Sequence, residues 1–194
     1  MPNMDKSELD QGHILTLYVV NKASEGIPSK THFQKIMYLI AKSMGNDPRS
    51  TLMYRPHYFG PYSEIVADWR ETLIESGWLN KNNDERVTIP PFLKSEVDRI
   101  DFGDPMVRIR IESIVESLTS LSHDELLLLI YADDIARNEG MTENSSEKNR
   151  IMSNRVKTAI SMVRKGKVSM ERGAELADID VQAFMQMVRK VKYE

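Results

Sequence analysis

The chain has 194 residues, of which 41% are hydrophobic and 28% are charged, and its net charge is −3 at neutral pH. These proportions are ordinary for a globular protein of one or two domains. Cysteine is absent, which excludes disulfide bonds, thiol catalysis and cysteine-ligated zinc. The N-terminal residues lack a signal-peptide core, and the longest apolar run, Leu126 to Ala132, is too short for a membrane helix of about 20 residues. We therefore expect a cytoplasmic protein with no membrane contact.

The charge is distributed unevenly along the chain. Residues 1–95 carry 11 Lys+Arg against 11 Asp+Glu, a net charge of 0, and residues 96–150 carry 6 against 13, a net charge of −7. Residues 151–194 carry 9 against 5, a net charge of +4. An acidic middle beside a basic tail suggests pairing within or between subunits, or a tail that contacts nucleic acid. Two ordinary solvated faces are the alternative.

Residues 7–90 show three helical patterns followed by a hairpin pattern. The predicted helices cover about residues 7–25, 30–44 and 63–76, with a loop at 46–50. Ser7 and Asp10 have the spacing of a capping box for the first helix. Ser63 is placed to cap the third helix, and Gly77 to end it.

The hairpin pattern comes directly after the third helix. Trp78-Leu79 reads as a short strand, a turn rich in Asn and Asp follows, and residues 87–89 are β-branched. Prolines 90 and 91 end the second strand, since proline cannot donate to a ladder. Three helices and a hairpin in this order predict a winged helix over residues 7–90.

Residues 91–140 are expected to form a helical extension packed on that domain. Val107 to Ile111 alternates as a strand would, but the apolar pattern continues for three turns, so we interpret it as a helix that starts after Asp104. Ser122 and Glu125 form a second capping box. The helix after them is apolar nearly all round and is expected to be the most buried of the chain, with Gly140 at its end.

The C-terminal residues 154–194 predict a helix-turn-helix. Residues 141–153 are polar and begin with linker composition, and a helix over 154–165 follows, ended by Gly166. Ser169 caps a short helix to Ala177, residues 178–180 form a tight turn, and a last helix covers 181–191. Within this unit we expect small Ala174 to permit close helix approach, Ile179 to fill the turn, and Phe184 and Val188 to pack back.

Two resemblances support this organisation. Residues 30–79, through KTHFQKIMYLI, FGPYSEIV and ESGWL, resemble the Panacea antitoxin family (SocA-type proteins) and the related YwgA-type proteins, and LSHDELLLLIYADDIARN resembles the region that follows that domain. Residues 154–194 resemble short helix-turn-helix antitoxin-like proteins through KGKVSMERGAELADIDVQAFMQMVRK. The resemblance implies a prokaryotic regulator or antitoxin-like protein that binds DNA, a protein partner, or both.

The C-terminal helix-turn-helix is the main candidate for DNA contact. Gln182 and Gln186 have side-chain amides that can bond adenine bidentately. Asp178 and Asp180 lie at the turn, where phosphate would approach, although Asp180 also suits a helix cap. The candidate phosphate contacts are Arg155, Lys157, Arg164, Lys165, Lys167, Arg189, Lys190 and Lys192. The alternative is an ordinary helical hairpin used for dimerisation or partner docking.

The predicted winged helix carries a weaker DNA signal. Its third helix contains four acidic residues and only one cation, Arg70, and acidic residues repel phosphate. Lys81 and Arg86 in the hairpin are candidate backbone contacts, but Asp84 and Glu85 offset them. For this domain we therefore place protein contact ahead of DNA contact.

A second group is assigned to partner binding. It consists of Lys35, Arg55, His57, Tyr58 and Arg70. The alternative reading is that the aromatic residues of this region belong to the core and its cations are solvated.

Catalytic and metal-binding patterns are weak. The four histidines lack ligand spacing, and no phosphate loop, nucleophile elbow or dinucleotide fingerprint is present. Asp133 and Asp134 are adjacent carboxylates in an apolar helix and could in principle hold a metal ion. Adjacent helix positions point about 100° apart, however, so pairing with Arg137 or another cation is the simpler interpretation.

The sequence thus predicts a mainly α protein with a winged helix, a central helical segment and a C-terminal helix-turn-helix. We expect an antitoxin-like, DNA-binding transcriptional regulator that is not an enzyme and needs no metal or cofactor. The alternative is a protein-interaction module, a toxin-neutralising antitoxin or an adaptor, that uses the winged helix for protein contact. The expected partners are double-stranded DNA, a toxin or other protein, and a second copy in a homodimer.

Overall fold

The computed structural model describes residue 2 and residues 5–190, and this part of the chain is mainly helical with one small antiparallel hairpin. The hairpin strands are Asn80–Lys81 (β1) and Val87–Thr88 (β2). The α-helices are Gln11–Lys22 (α1), Lys30–Ser43 (α2), Pro48–Thr51 (α3), Glu64–Glu75 (α4), Lys94–Val97 (α5), Pro105–Thr119 (α6), His123–Arg137 (α7), Ser146–Ser153 (α8), Arg155–Arg164 (α9), Met170–Ala177 (α10) and Val181–Lys190 (α11).

The chain divides into two compact units. The N-terminal unit comprises the residues up to Arg55 together with Pro61–Thr119, and the C-terminal unit comprises Pro56–Gly60 and the residues from Ser120 onward. The predicted extension at 91–140 is therefore divided, with α6 in the first unit and α7 in the second. None of the described helices is long and apolar enough to cross a membrane.

The core of the N-terminal unit lies among α1, α2, α4 and α6. Its buried apolar side chains include Val19, Ile36, Val66, Leu73 and Ile111. A Cβ at Gly12 on α1 would lie 2.0 Å from the indole of Trp69 on α4, so only glycine permits this helix crossing.

Local capping decides where the helices of this unit begin. The expected first cap was wrong, because the Asp10 carboxylate accepts from the backbone N–H of His13 and starts α1, whereas Ser7 lies in a preceding 3₁₀ turn. The Ser63 hydroxyl caps α4 as predicted, by accepting from Val66. The loop expected at 46–50 contains α3 instead, since the Asp47 carboxylate caps it.

The hairpin begins two residues later than predicted. Trp78 and Leu79 are both buried, and the Leu79 N–H donates to the carbonyl of Leu73, which closes the end of α4 instead of starting a strand. Ile27, between α1 and α2, forms an isolated antiparallel bridge with Val87 of β2. Ile27 and Val87 exchange two backbone hydrogen bonds of 2.8 and 3.0 Å, and Gly26 allows this approach because a Cβ there would lie 2.5 Å from the Val87 carbonyl oxygen.

In the C-terminal unit, α7 is a largely buried helix, but the prediction that it is the most buried of the chain was wrong, because seven of its fifteen residues are buried against nine of fourteen in α2. Leu126, Leu127 and Leu128 are fully buried, and Ser122 with Glu125 forms the expected capping box. The helix ends earlier than expected, because Asn138, two residues before Gly140, takes the left-handed conformation at φ +52°.

The second part of the polar segment 141–153 forms α8, whereas residues 141–145, its linker-like start, contain no helix. Ser145 caps α8, whose one buried side chain is Ile151. Arg150 on this helix binds both carboxylate oxygens of Asp124 on α7, at 2.7 and 2.8 Å. No helix was predicted for residues 146–153, because this polar stretch buries only Ile151 and has no apolar stripe.

Candidate nucleic-acid interface

Helices α10 and α11 are joined by a turn of three residues, 178–180, at the place where the sequence predicts it. Ser169 caps α10, and Asp178 ends it in the left-handed conformation at φ +55°. The Asp180 carboxylate accepts from the N–H groups of Gln182 and Ala183, at 2.9 and 3.2 Å, and so caps α11. Both aspartates of the predicted three-residue turn therefore have structural roles, Asp178 at the end of α10 and Asp180 at the start of α11.

Close packing holds this hairpin against α9. Phe184 of α11 is fully buried and Ala174 of α10 is 1% exposed. A Cβ at Gly173 would lie 2.4 Å from Val163 Cγ2 and 2.8 Å from the Phe184 ring. Glycine at this position therefore lets the three helices meet, a function that the sequence prediction gave to Ala174 alone.

The opposite face of α11 is exposed and carries the predicted base-reading residues. Gln182 and Gln186 are one turn apart, and both are exposed, as are Arg189 and Lys190. Neither amide makes a hydrogen bond with another described residue, and α11 itself contains no acidic residue. The predicted end of this helix at Val191, and Lys192, lie outside the described residues.

Three of the predicted phosphate contacts have intramolecular partners. Arg155 binds the Asp178 carboxylate at 2.9 Å. Lys165 and Lys167, which leave the end of α9, bind the two oxygens of Glu125 at 3.1 and 2.5 Å. The sequence indicated only a capping role for Glu125, because its two lysine partners lie 40 and 42 residues further along the chain and no local pattern predicts such a contact.

Glu125 is the electrostatic centre of the C-terminal unit. Its side chain is 4% exposed. Burial by itself would raise its pKa, but hydrogen bonds from Lys167, from the Ser122 backbone N–H and from Lys165 outweigh burial and lower the pKa to about 2. The carboxylate is therefore ionised at neutral pH and pairs with both lysines, of which Lys167 is mostly buried and Lys165 stays half-exposed.

Lys157 and Arg164 differ from those three cations. Both are exposed on α9, and neither makes an ion pair or hydrogen bond with any described residue. Arg189 and Lys190 of α11 also lack a described side-chain partner. These four cations of the C-terminal unit are therefore the predicted DNA contacts whose charges are unpaired among the described residues.

The hairpin cations of the N-terminal unit also have partners. Lys81 pairs with Glu85 at 3.1 Å, and Arg86 donates to the backbone carbonyl of Glu25 at 2.9 Å. On α4, Glu64, Asp68 and Glu75 are exposed, whereas Arg70 is only 2% exposed. The surface of α4 is therefore acidic, as the sequence indicated.

Two residues of the predicted partner-binding group are buried, which corrects their assignment as surface contacts. The Arg70 guanidinium binds Glu71 at 2.6 Å and the Glu85 carbonyl at 3.2 Å, joining α4 to the hairpin. Lys35 is 2% exposed and donates to the Pro61 carbonyl at 2.7 Å. Burial without a carboxylate partner lowers the pKa of Lys35 to about 7.

The other three residues of that group lie in the segment before α4. Arg55 is exposed in the N-terminal unit, and its backbone pairs with Tyr62. His57 is half-buried and bridges Thr142 within the C-terminal unit. Tyr58 is 53% exposed, and its carbonyl accepts from the Tyr131 hydroxyl at 2.8 Å.

The paired carboxylates of α7 have separate structural partners. Asp133 binds Arg172 of α10, and Asp134 accepts from the backbone N–H of Met141 at 2.7 Å. Among the described residues, no group of three or more His, Asp or Glu side chains is arranged to hold a metal ion.

Comparison with protein-family models, with curated proteins and with solved structures finds no match to this chain.

Proposed function

We propose that this protein is an antitoxin-like DNA-binding transcriptional regulator without enzymatic activity, and that α11 is its main contact with duplex DNA. The observation that carries this proposal is the exposed face of α11, which presents Gln182, Gln186, Arg189 and Lys190 with no acidic residue on the helix. Amides of this type bond adenine edges in the major groove, while the cations neutralise phosphate. Phe184 anchors the opposite face in the core.

The two aspartates of the turn support this use of α11. Asp178 is neutralised by Arg155, and Asp180 is occupied by the N–H groups at the start of α11. Their charges therefore oppose an approaching phosphate less than the sequence alone suggested. A second copy of the chain would bind the second half-site of a two-fold operator.

We further propose that the N-terminal unit is a winged helix. The element order α1, Ile27, α2, α4, β1, β2 supports this, as does the pairing of Ile27 with β2 and of β2 with β1. The acidic surface of α4 favours protein contact for this unit.

The experiment is duplex binding by the full chain, followed by fluorescence anisotropy over a range of salt. Point variants are preferable to truncation at Met152, which would remove α9, α10 and α11 from one compact unit. We expect Arg189→Ala to weaken binding to all duplexes and to reduce the salt slope by about 1. Gln182→Ala is expected to cost about 1–3 kcal/mol on an adenine-containing preferred site and little on other duplexes.

Arg137→Ala is the matched control, because Arg137 is exposed on α7 and belongs to the same unit but not to α11. It should leave affinity and salt slope nearly unchanged. The regulator proposal would be abandoned if the full chain binds no duplex even at low salt.

The second candidate function is a protein-interaction module, such as a toxin-neutralising antitoxin or an adaptor. It is favoured by the acidic surface of α4, where Glu64 and Asp68 are exposed and the one cation, Arg70, is buried. This function predicts a stable complex with one partner protein and no duplex affinity. Co-expression with the product of a small toxin-like reading frame next to the gene, followed by size-exclusion chromatography, tests it. An Asp68→Lys variant that still forms the complex would argue against α4 as the contact.

A further inference from the structure

A groove of about 780 Å³ runs along one face of α9. Its lining includes Asn154, Val156, Lys157, Ile160, Ser161 and Arg164, residues three or four apart that share a face of the helix. We call this feature the α9 groove. It is distinct from the exposed face of α11 to which DNA contact is assigned above.

The α9 groove combines an apolar floor with a cationic rim. Val156 is half-buried and Ile160 is 9% exposed, so together they form the floor. Lys157 and Arg164 stand two turns apart on the rim, and both are exposed without a partner among the described residues. By contrast, Arg155 on the same helix is held by Asp178.

We propose that the α9 groove docks an acidic amphipathic helix of a partner protein. A helix lying along α9 would place its apolar residues on Val156 and Ile160 and its carboxylates beside Lys157 and Arg164, the mode in which amphipathic helices bind hydrophobic grooves. Charge complementarity selects an acidic helix over a basic one. The backbone of DNA offers the same negative charge, but its sugars present much less apolar surface than aliphatic side chains to cover the floor, so protein is the better match.

The proposal does not depend on DNA binding by α11. If both are correct, the C-terminal unit uses two faces, one for duplex and one for a partner. The two functions are then separable by mutation, since Gln182 lies on α11 and Arg164 on α9.

The probe is a synthetic acidic amphipathic helix with leucines at i, i+3, i+4 and i+7 and glutamates on both flanks. Its binding to the full chain is measured by calorimetry, and its location by amide NMR shifts. We expect Arg164→Glu to weaken binding about 5- to 30-fold, because reversal replaces one attractive exposed pair by a repulsive one. Val156→Ser is expected to weaken binding of the peptide while leaving duplex affinity unchanged.

Arg137→Glu, on α7, reverses the same kind of charge elsewhere in the unit and should change peptide affinity less than about twofold. A second peptide with lysine in place of glutamate is expected not to bind. The proposal is overturned if the acidic peptide does not bind, or if the basic peptide binds equally well. It is also overturned if Arg164→Glu abolishes duplex binding and leaves peptide binding intact, since the groove would then be a DNA contact.

Discussion

Replacing Glu125 by glutamine is expected to destabilise the C-terminal unit strongly, although the two side chains have nearly the same shape. The amide keeps the shape of the side chain and can still accept from Ser122, but it removes the charge that binds Lys165 and Lys167. The pKa of Glu125 falls from its ordinary 4.5 to about 2 in the folded protein, and a shift of that size corresponds to about 3 kcal/mol. Because Lys165 is 55% exposed and regains water when released, we expect a loss of about 2–3 kcal/mol.

The assay is urea denaturation of the full chain followed by far-UV circular dichroism, combined with hydrogen exchange of peptides from α7 and α9. The folded pKa of Glu125 is depressed, so its stabilisation is fully present above pH 4.5 and is lost as the pH falls through about 2. The difference in stability between wild type and Glu125→Gln should therefore be constant from pH 7 to 5 and shrink below that.

Glu143→Gln is the control for Glu125→Gln, since Glu143 is an exposed carboxylate of the same unit. It should change stability by less than about 0.5 kcal/mol. The reasoning is refuted if Glu125→Gln behaves like this control at pH 7, or if its effect is the same at pH 3 as at pH 7.

Three further substitutions test the packing, the buried amine and the capping. Gly173→Ala should lower the free energy of unfolding by about 1–3 kcal/mol despite its gain in helix propensity, because the new Cβ overlaps Val163. The measurement is thermal unfolding, in which Glu171→Ala, on the exposed face of α10, should have little effect. Between pH 7 and 10.5 the unfolded chain keeps a proton on Lys35 that the folded protein releases, so the free energy of unfolding of the wild type should rise with pH across that window. Urea titrations of Lys35→Met should lose this rise. An unchanged slope would exclude the buried amine as its source. Ser122→Ala should cost about 1 kcal/mol and Ser122→Gly only a few tenths, as measured by thermal unfolding; equal losses would show that the cap hydrogen bond is not the cause.

Helix boundaries were predictable where a side chain bonds to the backbone a few residues away. Ser63, Ser122 and Ser169 each cap a helix as their sequence spacing indicated. The prediction failed at Ser7, because the Asp10 carboxylate caps α1 and Ser7 lies in the 3₁₀ turn before it. It also missed α8, which contacts α7 through the ion pair of Arg150 with Asp124, 26 residues away.

The candidate site was predictable only in part, for a similar reason. The exposed amides of Gln182 and Gln186 follow from helical periodicity around the apolar Phe184. The occupation of Lys165 and Lys167 by Glu125 does not, because ion pairs between distant residues leave no periodic trace. Lys35 and Arg70 were wrongly assigned to the surface, because a cation is normally solvated. Both are buried because other segments of the chain supply acceptors, the Pro61 carbonyl for Lys35 and the Glu85 carbonyl for Arg70.

By itself, the sequence determined that this protein is mainly helical, where most of its helices lie, and that a tight turn joins α10 to α11. Those properties arise from propensity, capping and periodicity, which act over about one or two helical turns. The tertiary structure alone decided which charges are available to a ligand, leaving Lys157 and Arg164 exposed while Arg155, Lys165 and Lys167 are neutralised. The physical reason is that the availability of a charge depends on its nearest opposite charge in space, and folding brings that partner from distant parts of the chain.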